Sequence, residues 1–347
     1  MTPTCALTDA VDSLPAAVDP LALSLNENPF PPLPGVRAAL TASIEVVNRY
    51  PEFLPQRLRS LIAGRVGVAD EQVVVGAGAT GVIMQVLQAV TKPGDVMVTA
   101  TPTFDGYPIF AQMARLRSVT VPLDRHGHHD LDAMADAAAR ARVVVVCRPH
   151  NPTGTVESPA DLYRFLDRVP SGTVVLLDEA YVEFLAPDLC LGIPSLVERY
   201  PNLVVVRTFS KAYGLAGLRI GYGVCAPPLA RQLWGMQLPF GIGITGLVAV
   251  AASYDAEDQL QQRIQMISAE GAFLRARLRS MGVYCTDSHA NFVYLPSGAR
   301  AWTFGDDGPR VRSYADGGVR ITVGDRRSSR AVLAAIRNAV DGTSVGG

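Results

Sequence analysis

The sequence predicts an α/β protein in which helices cover a mostly parallel sheet, followed by a smaller α/β domain. Short apolar runs alternate with helical patterns through the first two thirds of the chain, an order typical of βα units. From about residue 259 this alternation stops and a long amphipathic pattern begins. We therefore expect an N-terminal arm over residues 1–34 that joins the small domain, a large domain over 35–255 and a small C-terminal domain over 256–347.

Seven short apolar runs, each bounded by turn residues, predict strands of a sheet that is buried on both faces. They lie at residues 72–75, 96–99, 118–121, 143–147, 174–177, 203–206 and 220–224. Amphipathic segments between them predict helices at residues 79–91, 107–115, 131–141 and 159–169. Because strands that alternate with helices form βα units, we expect most of these strands to be parallel.

The two ends of the chain carry different patterns. Residues 24–34 include four prolines, which predicts an extended arm rather than a helix or strand. In the C-terminal part, a long helix is expected at 259–281, short strands at 291–295 and 319–323, and a last helix at 328–340. These elements make up the expected second domain.

The composition excludes several classes of function. The 347-residue chain has a formal net charge of −1, so it lacks the basic surface expected of a nucleic-acid-binding protein. No apolar stretch is long enough to predict a membrane-spanning helix. Residues 1–25 lack the basic start of a secretory signal, and the five cysteines are odd in number and without paired spacing. We therefore expect a cytoplasmic protein without a disulfide framework or a zinc site.

A glycine-rich turn at residues 76–81 matches the G-x-G-x-x-G fingerprint of dinucleotide-binding proteins, between a predicted strand and a predicted helix. That fingerprint also requires an acidic residue at the end of the next strand, where this chain has Thr-Ala-Thr at 99–101. A nicotinamide-dependent oxidoreductase is therefore disfavoured. The turn still predicts a phosphate site, because a helix N-terminus presents free N–H groups.

A histidine-rich run, His-Gly-His-His at residues 126–129, is the other candidate for a ligand site. It lies in a charged segment and has no further ligand at the spacing of a zinc site. We interpret it as a solvated connection and expect no metal.

Four polar segments lie at the carboxyl ends of predicted strands or just past them, at residues 148–154, 178–181, 208–211 and 217–221. The third contains Lys211, one of only two lysines in the chain. Side chains at this edge of an open α/β sheet converge on its ligand site. A lysine for a Schiff base, a carboxylate for a protonated ring nitrogen, and an arginine with hydroxyl groups for a phosphate together suit pyridoxal phosphate. We therefore predict pyridoxal phosphate as the cofactor.

These segments belong to motifs that extend over nearly the whole chain, and through them the sequence resembles the fold-type I pyridoxal-phosphate aminotransferases of class I and II. Within that class it resembles the histidinol-phosphate and the aromatic, phenylalanine-type aminotransferases. The motifs are at residues 25–29, 48–51, 151–154, 178–181, 207–222, 290–293 and 320–324. The resemblance implies a homodimeric enzyme that transfers an amino group by a ping-pong mechanism.

The resemblance also implies roles for individual residues. Lys211 binds the cofactor covalently and acts as general base and acid, Asp178 holds the ring nitrogen, and Tyr181 with Asn151 bonds the ring hydroxyl. The remaining implied cofactor contacts are Ser210, Thr208, Arg219, Ala79 and Thr80 at the phosphate, Phe104 stacked on the ring, and Tyr50 reaching from the second subunit. The implied substrate contacts are Arg320 for the carboxylate, with Asn151, Arg312 and Tyr107 nearby.

Three features favour an aromatic or other hydrophobic amino donor. Arg312 and Arg320 lie only eight positions apart, residues 1–25 contain no aromatic residue, and the turn at 76–81 resembles that of the aromatic enzymes. Apolar walls for such a donor are expected from Leu25, Phe104, Tyr107 and the turn at 239–240. His150, Gly243 and Leu247 depart from the residues common in the family.

Several alternatives stay open at this point. A histidinol-phosphate aminotransferase is the first of them, and a specialised enzyme of secondary metabolism with the same fold is another. A decarboxylase or lyase would use the same cofactor but break a different bond at the α-carbon. A non-catalytic cofactor-binding domain of a regulator is disfavoured, because Arg320 is present and no DNA-binding segment is recognised.

Overall fold

The computed structural model describes residues 16–298, 302, 304–305 and 307–342, so the predictions made for Cys5 and residues 1–15 fall outside it. Seven strands form the large sheet, in the order β1-β7-β6-β5-β4-β2-β3. They are β1 (Val73–Ala77), β2 (Val96–Thr101), β3 (Arg117–Pro122), β4 (Val143–Cys147), β5 (Val174–Asp178), β6 (Leu203–Thr208) and β7 (Ile220–Cys225). Each lies within a few residues of a predicted strand.

One strand of the large sheet, β7, runs against its neighbours. It pairs antiparallel with both β1 and β6, whereas the pairs β2–β3, β2–β4, β4–β5 and β5–β6 are parallel. The connection over residues 209–219 contains a 3-10 turn and no α-helix, so it is too short for the crossover that a parallel neighbour requires. The segment 217–221 therefore lies at the start of a strand, not past its carboxyl end as predicted.

Eleven α-helices surround the strands in the described part of the chain. They are α1 (Pro34–Ser43), α2 (Gln56–Val66), α3 (Gly78–Val90), α4 (Gly106–Met113), α5 (Leu131–Ala138), α6 (Pro159–Arg168), α7 (Ile193–Arg199), α8 (Pro227–Trp234), α9 (Ile244–Asp255), α10 (Glu257–Ser280) and α11 (Arg326–Gly342). No helix within the described residues has the length and apolar character needed to cross a membrane.

The large sheet is buried on both faces except along its edge strand β3, where all residues but Val121 are exposed. The expectation of burial on both faces is therefore wrong for this strand, because β3 has only one neighbour in the sheet. Along β4, Val144 and Val146 contact one core, whereas Val143 and Val145 contact the other. The first core is closed by α1, α2, α5, α6, α7 and α9, and the second by α3, α4 and α8. Because neither face of the central strands meets water, their positions favour apolar residues, which is why these strands are continuous apolar runs in the sequence.

The C-terminal part has its own antiparallel sheet, in the order β8-β10-β9, formed by β8 (Phe292–Leu295), β9 (Arg312–Ser313) and β10 (Val319–Thr322). Helix α10 connects the two parts of the molecule. Its first half, with Leu260 and Ile264, packs in a core of the large sheet, and its second half, with Leu274 and Leu278, packs against the small sheet. The long helix predicted from residue 259 thus begins two residues earlier, at Glu257, and is shared by both cores.

The histidine-rich run differs from its interpretation as a solvated connection. His126 and its neighbour Arg125 are exposed, but the His129 side chain is buried. Its Nδ1 lies 2.8 Å from the Glu157 carboxylate, and its ring packs edge-on against His150 with 4.3 Å between the centroids. An apolar face of the imidazole and a nitrogen that hydrogen-bonds to the carboxylate allow this burial, which the polar sequence context did not indicate.

Candidate active site

The carboxyl ends of β4, β5 and β6 and the start of β7 meet at one edge of the large sheet, where a cavity of about 410 Å³ opens. The N-terminal arm, the β1–α3 turn and the small sheet complete its wall. Most residues predicted from the sequence line this cavity: Ala79, Thr80, Phe104, Asn151, Asp178, Tyr181, Thr208, Ser210, Lys211, Arg219, Arg312 and Arg320. Leu25 lines it as well, whereas Tyr50, Tyr107, Phe240, Gly243 and Leu247 are not among its lining residues.

Lys211 lies in the turn that follows β6. Its Nζ donates a hydrogen bond to the carbonyl oxygen of Leu25 at 2.9 Å and lies 5.8 Å from the centre of the Tyr181 ring. Burial, and then the charge of Arg320, lowers the pKa of Lys211 from 10.5 to about 8. A neutral amine is therefore accessible under mildly alkaline conditions, as a nucleophilic lysine requires.

Asp178 is the last residue of β5, and its carboxylate is buried at the floor of the cavity. Oδ2 accepts a hydrogen bond from the Tyr107 hydroxyl at 2.7 Å, and Oδ1 accepts one from the backbone N–H of Ala180 at 3.1 Å. Burial nevertheless raises the pKa of Asp178 above its ordinary value. A buried carboxylate of this kind is stabilised by a cationic partner in the cavity.

Tyr107 was expected to contact the substrate as part of an apolar wall, and this expectation is wrong. The side chain is buried within the core beneath the cavity, only 1% exposed, because α4 turns it toward β5 rather than toward the opening. Its ring packs edge-on against Phe104, with 5.3 Å between the centroids. Tyr107 therefore acts on the site through Asp178 and Phe104 instead of through the substrate.

The Tyr181 hydroxyl is held by two amide side chains. Asn26 donates to it at 2.9 Å and Asn151 at 3.3 Å. Asn26 is itself fixed by Thr322 in β10, whose hydroxyl accepts from the Asn26 backbone N–H at 2.9 Å. Sequence reasoning did not assign Asn26 to the site, although it belongs to the arm motif at 25–29.

Hydroxyl and guanidinium groups form a second cluster, which lies beside the N-terminus of α3. Thr208 donates to Ser210 at 3.0 Å, and Arg219 contacts Ser210 at 3.4 Å and Thr80 at 3.3 Å. The first turn of α3 has no side-chain cap, so its N–H groups stay available. Free helix N–H groups, hydroxyls and an arginine are the donors that bind a phosphate.

Arg320 lies in β10 at the opposite wall and is buried. It donates to Asn151 Oδ1 at 2.5 Å and to the carbonyl oxygen of Ser24 at 2.6 Å, while its buried Nε has no partner among the described residues. Both hydrogen-bond acceptors are neutral oxygens, and no carboxylate of the described chain pairs with this guanidinium. The cavity thus offers a guanidinium for a carboxylate on the side away from the phosphate cluster.

His150, which departs from the family pattern, has a structural partner. Its Nε2 lies 2.9 Å from the carbonyl oxygen of Pro102, and burial together with His129 lowers the pKa of His150 to about 3. A neutral imidazole therefore connects the segment of Asn151 to the segment that carries Phe104.

The aminotransferase class I and II family matches residues 18–324 of the chain. The chain belongs to this family. The expected class and fold type are thereby confirmed, and with them pyridoxal phosphate as the cofactor. Lys92, the other lysine, lies in the turn before β2 and is not among the residues that line the cavity.

Relatives of this class I/II aminotransferase include the aromatic amino acid aminotransferase of Streptomyces coelicolor, 45% identical over 91% of this chain and 90% of that protein. The corresponding protein of Rhodococcus opacus is 41% identical over 93% of this chain and 90% of its own length. Among solved structures, the histidinol-phosphate aminotransferase of Sinorhizobium meliloti in complex with pyridoxal 5′-phosphate has a TM-score of 0.87 and 26% identity, covering 94% of this chain and 92% of that one.

The residues of this aminotransferase fit the cofactor. Among the described residues the buried Asp178 carboxylate forms no ion pair, and burial raises its pKa, so a protonated pyridine nitrogen would supply a cationic partner. The cluster of Ser210, Thr208 and Arg219 at the uncapped start of α3 suits the phosphate. Lys211, with its lowered pKa, lies in the same cavity. The cofactor supplies an electron-accepting ring for the bond that breaks at the substrate α-carbon.

The chain's own groups would then have separate tasks. Arg320 would orient the substrate through its carboxylate, and Asn151 is fixed between Arg320 and Tyr181. Lys211 Nζ would take up the proton of the substrate α-carbon and return it, because its lowered pKa lets it exist as a free amine. Asp178 would hold the ring nitrogen of the cofactor, and the Tyr107 hydroxyl donates a hydrogen bond to its carboxylate.

Proposed function

We propose that this enzyme transfers amino groups between aromatic L-amino acids and 2-oxo acids by a ping-pong mechanism. The observation that carries the reaction is that Lys211, Asp178 and Arg320 face one cavity. The aromatic class of substrate is supported by relatives of 39–45% identity that are named aromatic amino acid aminotransferases. The uncharged side chains of Leu25 and Phe104 form part of the wall of the same cavity.

Part of the expected apolar wall lies elsewhere. Phe240 packs against Tyr50, with 4.8 Å between the ring centroids, and Tyr107 lies beneath Asp178. A substrate side chain therefore meets the arm and the Phe104 loop rather than the 239–240 turn.

The alternative, transfer from histidinol phosphate, requires a cationic site for a dianion in addition to Arg320. Arg312 is the candidate for that site, and it is already paired with Asp105 at 2.9 Å. The solved structures named for histidinol phosphate share the fold at 26% identity or less. The aromatic donor is therefore the proposal that we favour.

The test compares kcat/KM of the holoenzyme for phenylalanine, tyrosine and histidinol phosphate, with and without each arginine. We expect the aromatic donors to be preferred, and Arg320→Met to lower their kcat/KM by about a hundredfold, because a charge-assisted bidentate contact is lost. The matched variant Arg312→Met should lower kcat/KM for the aromatic donors far less than Arg320→Met does. A clear preference of the unmodified enzyme for histidinol phosphate would replace the proposal by the alternative.

We also propose that the enzyme acts as a homodimer in which Tyr50 contacts the cofactor phosphate of the partner subunit. In the single chain the Tyr50 side chain is 84% exposed and lies outside the cavity. Together with Phe53 and Phe240 it forms an exposed aromatic patch, whose rings lie 4.8 and 5.1 Å from that of Phe240. Exposed apolar clusters of this kind are typical of association surfaces.

A further inference from the structure

We propose that Asp105 is a specificity-determining residue, which excludes anionic substrate side chains by occupying the guanidinium of Arg312. This inference rests on the proposed transfer of aromatic amino groups and names the feature that selects them. It concerns the part of the cavity that meets the substrate side chain, beyond the groups that hold the cofactor and the α-carboxylate.

The small sheet presents two arginines to the cavity. Arg312 in β9 and Arg320 in β10 are direct partners in the antiparallel ladder, and both line the cavity. Side chains at directly opposite positions share one face of a sheet, and here both arginines line the same cavity. Such a pair of cations could receive the two anionic groups of a dicarboxylate or of a phosphorylated amino compound.

The two arginines differ in their partners. Arg320 donates hydrogen bonds to the neutral oxygens of Asn151 and Ser24 and forms no ion pair in the described structure, so its charge remains for a substrate carboxylate. Arg312 instead pairs with Asp105, whose Oδ2 lies 2.9 Å from its Nη2. Asp105 also lines the cavity, directly after Phe104 in the chain. An internal carboxylate therefore occupies the second anion position.

The ion pair discriminates between substrate side chains by charge. An aromatic side chain leaves the Asp105–Arg312 pair intact. An anionic side chain has to replace Asp105 on Arg312. One carboxylate contact is then exchanged for another, so the net binding free energy changes little. The displaced Asp105 carboxylate then lies in the same cavity as the new anion, and like charges repel at this range.

The decisive variant is Asp105→Asn, which keeps the side-chain shape and removes the charge. Asp105 makes no capping hydrogen bond to α4, so the replacement leaves the helix start unchanged. For the holoenzyme we expect the ratio of kcat/KM for glutamate to that for phenylalanine to rise about tenfold, because Arg312 gains a charge-assisted contact. The dissociation constant of unreactive glutarate should fall by a similar factor, while that of 3-phenylpropionate stays within about twofold.

Two further variants separate the ion pair from the general charge of the cavity. Glu27→Gln removes another carboxylate that lines the cavity, but Glu27 is not paired with Arg312. It should leave the glutamate-to-phenylalanine ratio within about twofold, whereas Arg312→Met added to Asp105→Asn should abolish the gain.

An unchanged ratio in Asp105→Asn would overturn the inference, and so would an equal gain in Glu27→Gln. The proposed function is judged independently, by whether the unmodified enzyme uses phenylalanine at all. If it does not, the proposed function fails. If it does and the Asp105→Asn ratio stays the same, only the role of Asp105 fails.

Discussion

At the scale of single residues, Asp178 depends on a neighbour that never touches the cavity. Its carboxylate is buried, and burial raises its pKa, while the Tyr107 hydroxyl opposes that rise by donating a hydrogen bond at 2.7 Å. Tyr107 is therefore a positioning residue. It keeps Asp178 ionised and aimed along β5, where the cofactor ring nitrogen requires a negative charge.

Replacing Tyr107 by Phe removes this hydrogen bond, together with the contact of the same hydroxyl with the buried Cys147 thiol. The pKa of Asp178 should then rise further, so its carboxyl is protonated at a higher pH than in the unmodified enzyme. We expect the acidic limb of the kcat profile to move to higher pH and kcat at neutral pH to fall about tenfold, the effect of losing a hydrogen bond to a charged group. The measurement is the pH dependence of kcat.

A matched control is Tyr200→Phe. Tyr200 also donates to an aspartate at 2.7 Å, but its partner Asp167 lies on the surface away from the cavity. This variant should leave the pH profile unchanged. An identical shift in both variants would mean that the Tyr107 effect is a loss of stability and not of Asp178 ionisation.

Hydrogen bonds between residues far apart in the chain explain why some site residues could not be predicted from the sequence. Asp178, Lys211 and Arg320 were predicted because each stands in a recognisable motif. The hydrogen bond from Tyr107 to Asp178 joins residues 71 positions apart, and the one from Asn26 to Tyr181 joins residues 155 positions apart. Only the packing of α4 and of the arm brings these pairs together, so no local pattern could indicate them.

At the scale of elements, the turn from β1 into α3 places the phosphate cluster. Gly78 begins α3 with a φ of +77°, a conformation that side chains rarely adopt. A Cβ at this position would overlap the guanidinium of Arg219. Arg219 itself has a φ of 54°, so both sides of the contact use left-handed backbone. The glycine therefore serves the close approach of Arg219, not a dinucleotide.

Gly78→Ala tests this role. The new methyl group should strain the backbone by about 1 kcal/mol and push Arg219 away from Ser210 and Thr80. We expect pyridoxal phosphate to bind the apoprotein about tenfold more weakly, measured by absorbance titration, with a small loss of stability in urea. Unchanged cofactor affinity would contradict the assignment of Arg219 to the phosphate.

Gly64→Ala provides the comparison for that variant. Gly64 lies inside α2, and nothing lies within 4 Å of the Cβ that it would gain. A glycine-to-alanine change in a helix interior stabilises by roughly 0.5–1 kcal/mol. Its cofactor affinity should equal that of the unmodified protein, so a loss of affinity confined to Gly78→Ala is assigned to the strained turn and its contact with Arg219.

Elements were predictable where burial imposes a simple pattern. The strand Val143–Cys147 was predicted because both of its faces are buried and every position is apolar. Helix α9, Ile244–Asp255, was not predicted, since its sequence is apolar almost throughout and has no clear helical period. The direction of β7 was also missed, because it depends on the length of the connection and not on the composition of the strand.

At the scale of the whole molecule, the N-terminal arm ties the two sheets to each other. Leu23 accepts a hydrogen bond from the Thr322 backbone N–H at 2.9 Å, and the Leu25 carbonyl accepts one from Lys211. The arm therefore contacts the small sheet and the large-sheet lysine within three residues of each other. A cavity built from both parts is held together by this segment.

The association of two such molecules would complete the cavity. The exposed aromatic patch of Tyr50, Phe53 and Phe240 lies outside the cavity of its own chain. Phe240 is fixed on Phe53 by a backbone hydrogen bond of 2.8 Å, so the patch has a defined shape. In a symmetric dimer each chain would contribute its Tyr50 to the active site of the other. Both active sites would then be complete only in the dimer.

Mixed dimers of two inactive variants give the sharpest test of this arrangement. Lys211→Ala removes the covalent attachment of the cofactor, and Tyr50→Phe removes the hydroxyl proposed to reach the partner's phosphate. If Tyr50 acts across the interface, a hybrid dimer has one site with an intact Lys211 and an intact partner Tyr50. Random reassociation of equal amounts should therefore restore about a quarter of the native sites, measured as kcat per chain. If Tyr50 acts within its own chain, every hybrid site keeps one defect, and no activity above that of the separate variants should return.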